Sequence, residues 1–461
     1  MFKFDKLSKI SKYRGFDFLL YKFNIVEFIR INLFFFMFLL IFFSFFGTNI
    51  GVANPSILLI WIGWWILIVF LFLPINARSW CAICPIPMVG TYYHRHKNKE
   101  IKKKRHFSKK YSLYGGIPLI LFTLFSSLSI PISTIPLFTG IVLLILLVIS
   151  SLIDIIFDKR TFCKSICPIN PLLGVYNRSN VTKIEPIDYQ ICLTSHPKTC
   201  ISGNNQGMYG CEWGFFAGKL KANQCTTCLD CFKSCTYDNL SLTFSKMNVI
   251  PKFEEKLSMT NVFAPIFFFG IIFMYIISKI GAFNPFHQLM LVDDIGSWLV
   301  YLSLEISIIF IIIPLIFAIF MFLPMYLIHK NEGKQLNETI PLLKRTIFTS
   351  IPLSLSAWIS FTLILIFPNL SLLFQWLTNT LNLGNLFYYF TSTDNYFNLI
   401  YIFGLNLAQM VLILGFFLTI YLVAKNTNEL QLVVRKKIFV SVSQYSFYLI
   451  FFLIFSYSFN F

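Results

Sequence analysis

Nine apolar stretches recur along the 461 residues, and most of them are long enough to cross a lipid bilayer as a helix. Hydrophobic residues make up 56% of the chain and charged residues only 13%, which is more apolar surface than a soluble fold of this length can bury. The sequence therefore predicts an all-α polytopic membrane protein with about nine transmembrane helices. The predicted spans are residues 31–46, 56–74, 116–129, 137–157, 261–278, 297–327, 346–367, 399–424 and 439–459.

Basic residues lie on alternate sides of these spans. Five segments hold 37 of the 38 Lys and Arg residues, and only Lys279 falls on the opposite side. Because cytoplasmic loops are enriched in Lys and Arg, we expect a cytoplasmic-membrane protein with its N-terminus inside and its C-terminus outside. Loop topology then explains the net charge of +18, and nucleic acid is not an expected partner. The basic segments are residues 1–30, 75–114, 158–260, 328–345 and 425–438.

All eleven cysteines lie between Cys81 and Cys235, in segments that this topology places in the cytoplasm. That compartment is reducing, so disulfide bonds are a poor explanation for them. Thiolates gathered on one side of a membrane indicate bound metal, with inert buried cysteine as the alternative interpretation.

Two cysteine loops follow the second and fourth predicted spans, and their sequences are related. Residues 78–92 and residues 160–176 share an Arg, an aromatic residue, a Cys, then Cys-Pro-Ile, a second Pro, a Gly and a Tyr in the same order. Each loop ends a pair of predicted helices. Residues 31–176 are therefore interpreted as one duplicated unit, in which a helical hairpin ends in a cysteine loop.

Two cysteine pairs related by a pseudo-twofold axis supply four thiolates, which suits one cubane [4Fe–4S] cluster. The Pro after the second Cys of each pair has no N–H, so neighbouring amides are left to donate to the sulfurs. Arg78 and Arg160 either place positive charge beside this cluster or anchor helix ends to lipid head groups. The predicted ligands are Cys81, Cys84, Cys163 and Cys167.

A second set of cysteines forms the run C-x₂-C-x₂-C-x₃-C that is typical of bacterial ferredoxins. Zinc is the alternative, but three thiolates so close together in sequence are awkward for one tetrahedral ion. The run consists of Cys225, Cys228, Cys231 and Cys235. The first three need a fourth ligand from upstream, and Cys211 is the predicted one.

Cys235 then joins Cys192 and Cys200, which leaves this last group with three thiolates. His196 is the nearest candidate for a fourth ligand, followed by Ser195, and a surface histidine is the alternative reading of His196. A three-iron cluster or an open iron site would also fit. We therefore expect about three iron–sulfur clusters, with residues 177–260 forming a small ferredoxin-like cytoplasmic domain.

These motifs resemble the membrane-bound polyferredoxins, the family that includes the membrane subunit delivering quinol electrons towards periplasmic nitrate reductase and the nitrous-oxide-reductase maturation protein. The resemblance covers about residues 31–250. The loop from Cys163 to Pro168 matches the C-x₃-C-P pattern of the family, while the loop from Cys81 to Pro85 is one residue shorter. Thr236 and Glu212 stand where the family has Pro. The resemblance implies electron transfer between the membrane and a redox partner.

Residues 261–461 form a domain of five predicted spans without cysteine. Glu305 is the clearest ionisable group at membrane depth, and it either serves a proton path or sits at the solvated outer interface. Asp154 lies near the inner end of the fourth predicted span, either at the interface or near the membrane cluster. None of the six histidines lies mid-membrane, so a transmembrane haem is not expected. The basic loop 94–110 faces lipid or docks an acidic partner.

The sequence thus predicts an iron–sulfur protein that passes electrons between the quinone pool and a redox protein or larger membrane complex, with membrane lipid and quinone as partners. Oxidation of quinol is one form this activity would take. Two other functions stay open at this stage. The first is an assembly or maturation factor that supplies electrons to a metalloenzyme, and the second is a redox-driven transporter or sensor.

Overall fold

The computed structural model describes most of the chain, and each structural statement below refers to the described residues. They are residues 25–49, 54–97, 116–126, 131–157, 159–179, 182–204, 209–219, 224–244, 249–251, 259–279, 295–331, 336–380, 394–429 and 433–459. The chain divides into two compact units. Unit 1 comprises Met1–Phe122 and Ile132–Asn248, and unit 2 comprises Thr123–Pro131 and Val249–Phe461.

Seven helices in the described residues are long and apolar enough to cross a membrane, which agrees with the predicted membrane protein. The predicted count of nine is not reached by this measure, because the other two spans are shorter apolar helices. One is Gly116–Ser126, whose 11 residues reach only about half of a hydrocarbon core. The other is the apolar part, Val262–Ser278, of the helix Met259–Lys279. The seven are Ile25–Phe46, Pro55–Asn76, Pro136–Ile156, Ile295–Asn331, Pro341–Phe367, Tyr401–Glu429 and Val434–Ser458.

Seventeen helices and two strands are used below. The helices of unit 1 and its boundary are α1 Ile25–Phe46, α2 Pro55–Asn76, α3 Ser79–Ile83, α4 Met88–Lys97, α5 Gly116–Ser126, α6 Pro136–Ile156, α7 Thr161–Ser165, α8 Ile169–Tyr176, α9 Tyr189–Thr194, α10 Thr199–Ser202 and α11 Asp230–Ser234. Strand β1 is Thr182–Pro186 and strand β2 is Leu240–Phe244. Unit 2 contains α12 Met259–Lys279, α13 Ile295–Asn331, α14 Leu336–Thr346, α15 Ile351–Thr380, α16 Asp394–Glu429 and α17 Val434–Ser458.

The first hairpin is closed by Asn54, which lies between α1 and α2. Its side-chain oxygen accepts a hydrogen bond from the Ser56 amide at 2.9 Å, and Pro55 occupies the first helical position, so α2 begins with a favourable cap. The Asn54 amide group donates to the carbonyl of Phe43 at 2.9 Å. One buried side chain therefore starts α2 and ties it to the end of α1.

The two hairpins pack together through α1 and α6. Their apolar contact contains Met37 and Ile41 from α1 and Leu143 and Leu147 from α6. Gly140 permits the close approach, since a Cβ atom there would lie 2.6 Å from the Cβ of Ser44. The hairpin pair is thus held by helix-to-helix packing of the kind that small residues allow in membranes.

The short helix after each cysteine loop packs against the other hairpin. Helix α4 follows the first loop but lies against α6, and Gly90 meets Asp154 so closely that a Cβ would be 2.3 Å from the Asp154 Cβ. Helix α8 follows the second loop and packs against the end of α2. Gly174, at the position equivalent to Gly90, faces Arg78, with 3.1 Å from a built Cβ to Nη2. The repeats therefore exchange their terminal helices.

The cysteine-rich segment is framed by a two-stranded antiparallel sheet, in which Ile184 of β1 pairs with Leu242 of β2. Three short helices, α9 to α11, lie between the strands in sequence. A small apolar core contains Ile184, Phe232 and Leu240 together with several cysteines. The Asn239 side chain donates to the Asp188 carbonyl at 2.6 Å and fixes the chain where β1 leads into α9.

Unit 2 is a helical bundle with an aromatic interior, in which Phe269 of α12 packs against Phe317 of α13 and Phe451 of α17. Glu305 lies on α13 and is buried, with 3% of its surface exposed. On the same helix, Tyr301 donates a hydrogen bond to the Ser278 hydroxyl at 3.2 Å. This burial disfavours the interpretation in which Glu305 sits at the solvated outer interface, and a role in a proton path stays a prediction.

Candidate metal centres

The two cysteine loops come together in unit 1. Cys81 lies in α3 and Cys163 in α7, and both are buried, whereas Cys84 and Cys167 follow these helices and are partly exposed. Burial, together with Cys81 and Cys84 of the other loop, raises the pKa of the Cys167 thiol to about 12. The four thiols therefore lie within electrostatic range of one another. We call these four cysteines the hairpin site.

A backbone amide donates to the second thiol of each loop. The N–H of Ile86 bonds the Cys84 sulfur, and the N–H of Ile169 bonds the Cys167 sulfur. Each donor is the first amide after the Pro that follows the Cys. The two repeats thus present the same donor to the same thiol, and N–H groups aimed at sulfur stabilise the thiolate form.

The same pattern recurs in the cysteine-rich segment. The amide two residues after the cysteine donates to the sulfur of Cys211, Cys225 and Cys228. The bond from the Thr227 amide to the Cys225 sulfur measures 3.3 Å. Five of the eleven thiols therefore accept a hydrogen bond from the second amide downstream.

The first three cysteines of the ferredoxin run and Cys211 face one cavity. This space contains about 360 Å³ that no atom occupies, part of it open to solvent. Thr227 and Leu229 have φ angles of 52° and 64°, and these left-handed turns curve the chain around the cavity. The cysteines that line it are Cys211, Cys225, Cys228 and Cys231, which we call the ferredoxin-run site.

The remaining three cysteines, Cys192, Cys200 and Cys235, form a third site. Burial raises the pKa of the Cys200 thiol, and Cys192 and Cys235 raise it further, so these thiols also lie close together. The Gly218 amide donates to the Cys192 sulfur. A Cβ on Gly218 would lie 3.0 Å from that sulfur, which explains why glycine fits there.

The predicted fourth ligand of the third site, His196, lies in the segment between Cys192 and Cys200. His196 is exposed, whereas Cys192 and Cys200 are buried. The Ser195 hydroxyl donates to the carbonyl of Cys192 at 3.1 Å. The described residues therefore give the third site three thiols, and a His196 ligand stays a prediction.

Among the described residues, no three Cys, His, Asp or Glu side chains converge around a single point as ligands of one metal ion do. In a cubane each cysteine binds a different iron atom, so its ligands stand further apart than those of a single ion. The grouping into two sets of four and one of three, with amides aimed at several sulfurs, fits iron–sulfur clusters.

Arg78 and Arg160, which precede the two cysteine pairs, face the sites rather than lipid. Arg160 is buried, and its Nη1 donates to the carbonyl of Cys81 in the other repeat. The Arg78 guanidinium lies over the ring of Trp213, 5.1 Å from its centroid. Arg78 also interacts with thiols of the hairpin site and with Cys225, so its charge lies between two sites.

Asp154 lies close to the hairpin site. It is buried on α6, and its Oδ1 accepts a hydrogen bond from the amide of Phe162, the residue before Cys163, at 2.9 Å. Its Oδ2 has no hydrogen-bond partner among the described residues. Of the two interpretations of Asp154, the structure favours proximity to the cysteines.

One buried feature was missed by the sequence interpretation. Glu212 is 1% exposed, and its carboxylate forms ion pairs with Arg30, Arg95 and Arg160. Burial alone would raise the pKa of Glu212, but the three arginines hold it well below its usual value. The sequence offered one sign of this carboxylate: Glu212 directly follows Cys211, at a position where the family pattern has Pro.

A family of known domains, described as the 4Fe-4S binding domain, matches the chain twice, at residues 57–105 and 137–184. Each match contains the second helix of one hairpin and the cysteine loop that follows. The matches support an iron–sulfur protein family, and they fall on the two repeats. No curated protein and no solved structure matches the chain.

Proposed function

We propose that this protein is an iron–sulfur electron-transfer protein of the cytoplasmic membrane, related to the membrane-bound polyferredoxins, that passes electrons between the quinone pool and a redox partner. The observation that carries the proposal is the gathering of eleven thiols into three groups, with backbone amides aimed at their sulfurs. The two matches to a 4Fe-4S binding domain and the apolar helices support the same conclusion.

The hairpin site and the ferredoxin-run site would each hold a [4Fe–4S] cluster through four cysteines, and the third site would hold a cluster through three. A bound cluster supplies one-electron transfer at its iron atoms. The chain supplies thiolates, amide donors to sulfur and charged groups, and each of these affects the potential at which iron is reduced.

The three sites are adjacent in one order. Arg78 interacts with Cys81 of the hairpin site and with Cys225 of the ferredoxin-run site. The amide of Cys211 donates to the carbonyl of Cys200 at 2.8 Å, so the ferredoxin-run site also borders the third site. We therefore place the ferredoxin-run site between the other two. In this proposal, electrons pass between the membrane-proximal hairpin site and the third site through it.

The sidedness is part of the proposal. Lys and Arg are concentrated in the segments that contain the cysteines, and the positive-inside rule then puts all three sites in the cytoplasm. Labelling of single introduced surface cysteines would be confounded by the native thiols, so protease access to inside-out and right-side-out vesicles is the suitable measurement.

The test of the proposed function is anaerobic purification with iron and sulfide counts, followed by EPR during a redox titration. About twelve irons per chain are expected for three cubanes, and about eleven if the third site holds a three-iron cluster. A Cys84→Ser variant should lose the signal of one cluster, and Cys228→Ser that of another. Zinc without iron, or iron without a redox-active EPR signal, would contradict the proposal.

A redox-linked transporter is a second candidate, and polar groups inside unit 2 favour it. Gln444 of α17 is fully buried, and neither its amide oxygen nor its amide nitrogen has a partner in the described part of the chain. One turn further along, Tyr448 and Thr349 are hydrogen-bonded at 2.8 Å. Polar side chains buried in a membrane domain are typical of ion or substrate routes.

The transporter function is tested by ion movement in proteoliposomes. Uptake of Na⁺ or H⁺ that starts on addition of reductant, and that falls in a Gln444→Leu variant with all clusters retained, would support it. Uptake that is absent in the unaltered protein would remove this candidate and leave the electron-transfer proposal intact.

A further inference from the structure

A buried cluster of charged side chains lies between the hairpin site and the ferredoxin-run site. Nη1 of Arg30 donates to Oε1 of Glu212 at 2.9 Å, and Nη2 of Arg95 donates to the same oxygen at 2.5 Å. Arg160 pairs with the other carboxylate oxygen, Oε2. Glu212 is therefore held from both sides of its carboxylate.

This charged cluster contacts the first cysteine loop through two of its arginines. The guanidinium of Arg30 donates to the carbonyl of Ala82 through Nε at 3.0 Å and through Nη2 at 2.6 Å. Arg160 donates to the carbonyl of Cys81. Glu212 itself is joined by a peptide bond to Cys211 of the ferredoxin-run site. One carboxylate therefore connects the backbones of two candidate cluster sites.

The charged cluster extends beyond Glu212. Arg95 also pairs with Glu27 at 2.5 Å and with Asp230 at 3.2 Å. Three arginines thus face three carboxylates. Removing one partner of a buried ion pair leaves an uncompensated charge, which is costly and creates a strong local field.

We propose that Glu212 is a positioning residue that fixes the ferredoxin-run site against the hairpin site and, through its buried charge, sets the reduction potentials of both. The inference rests on the proposed electron-transfer function and names a residue that controls it. Reduction adds negative charge to a cluster, so a nearby buried carboxylate opposes reduction and a nearby guanidinium favours it.

The surroundings of the thiols agree with this arrangement. Arg160 interacts with Cys84 and Cys163 of the hairpin site and with Cys228 of the ferredoxin-run site. Glu212 is among the groups that raise the pKa of the Cys228 thiol, after burial and Asp230. In the third site, the pKa values of the Cys192 and Cys200 thiols are raised mainly by burial and by neighbouring thiols, and Glu212 and its arginines are not among the main causes. The potential of the third site is therefore expected to respond least.

The experiment compares Glu212→Gln with Arg95→Gln in the full-length protein, by iron counts and EPR-monitored redox titration. Glu212→Gln keeps the size of the side chain and removes its negative charge, so the potentials of two clusters should become more positive. Arg95→Gln removes a positive charge from the same group of charged side chains, so the reduction potentials of the same two iron–sulfur clusters should become more negative. The Arg95 side chain is 19% exposed, whereas that of Glu212 is 1% exposed. Removing the Arg95 charge should therefore destabilise the fold less than removing the Glu212 charge.

Glu429→Gln is the matched control, since Glu429 is ion-paired with Arg345 in unit 2. It should leave every cluster potential unchanged. If Glu212→Gln fails to bind iron, the inference is tested by the direction in which Arg95→Gln shifts the reduction potentials of the two clusters. Potentials that stay unchanged, or that move in the same direction in both variants with full iron content, would overturn the inference. Absence of any cluster signal in the unaltered protein would instead contradict the proposed function.

Discussion

Arg160, which precedes the cysteines of the second repeat, donates a hydrogen bond to the backbone carbonyl of Cys81 in the first repeat. Its other terminal nitrogen pairs with Glu212. One buried side chain therefore joins three segments that are distant in sequence and that each carry candidate cluster ligands. A planar guanidinium with donors pointing in different directions suits this role better than an ammonium group does.

Replacing Arg160 with Lys should keep the positive charge but lose one of these two contacts, because a lysine ammonium does not span both acceptors. We expect a loss of about 1–3 kcal/mol in the local stability of the hairpin site, seen as faster release of iron to a chelator. Arg345→Lys, at an ion pair of unit 2, is the control and should release iron at the unaltered rate. Equal release from both variants would show that Arg160 has no special role.

Replacing Gly90 with Ala should separate α4 from α6, since the new Cβ would lie 2.3 Å from the Cβ of Asp154. Both of the crowded atoms belong to tightly packed helices, so the expected cost is about 1–3 kcal/mol of stability. The measurement is the midpoint of thermal unfolding in detergent, together with iron content. Gly63→Ala is the control, because a Cβ there meets nothing closer than 3.9 Å. Identical midpoints for the two variants would contradict the exchanged packing of the repeats.

Replacing Gly218 with Ala should affect the third site alone. The added methyl group would sit 2.8 Å from the Phe216 ring and 3.0 Å from the Cys192 sulfur, and iron bound to that sulfur would crowd it further. We expect the EPR signal of one cluster to disappear or broaden while those of the hairpin site and the ferredoxin-run site persist. Retention of all signals with unchanged shape would show that Gly218 does not border a ligand.

After iron has been removed, the thiols of the hairpin site should react slowly with an alkylating reagent at neutral pH. Burial raises the pKa of Cys84 and Cys167 to about 12, and the thiolate is the reactive form. At pH 8 roughly one such thiol in ten thousand is ionised, so alkylation should be on the order of a thousandfold slower than that of a free cysteine.

Because the pKa of these thiols is raised, their alkylation rate should rise about tenfold per pH unit until the pH reaches the pKa. Mass spectrometry of digested protein gives the rate at each cysteine. Rapid alkylation of Cys84 at pH 8 in folded, iron-free protein would contradict the burial that the structure shows.

Residue spacing alone gave the predicted grouping of the cysteines. The duplicated loop at Cys81 and Cys163 predicted one shared site, and the C-x₂-C-x₂-C run predicted another with Cys211. Such motifs are visible because ligands to one cluster must recur at short, fixed separations. Apolar length predicted the membrane helices for the same kind of reason. The number of spans was harder to predict, because the length of the short helix α5 depends on where its apolar run ends.

The ion pairs around Glu212 could not be read in the same way. Arg30 and Glu212 are 182 positions apart, and no local pattern relates them. The exchange of α4 and α8 between hairpins is equally invisible, because both helices have the same sequence pattern whichever hairpin they contact. These features arise from tertiary packing, and only a three-dimensional description reveals them.

The exchange of terminal helices means that neither repeat is complete by itself. A chain carrying only the first hairpin and its loop would leave α4 without the surface of α6 and two thiols without their counterparts. Two copies of such a shorter chain, facing each other about a twofold axis, would satisfy both needs at once. Within the single chain, each repeat thus supplies the surface and the thiols that the other lacks.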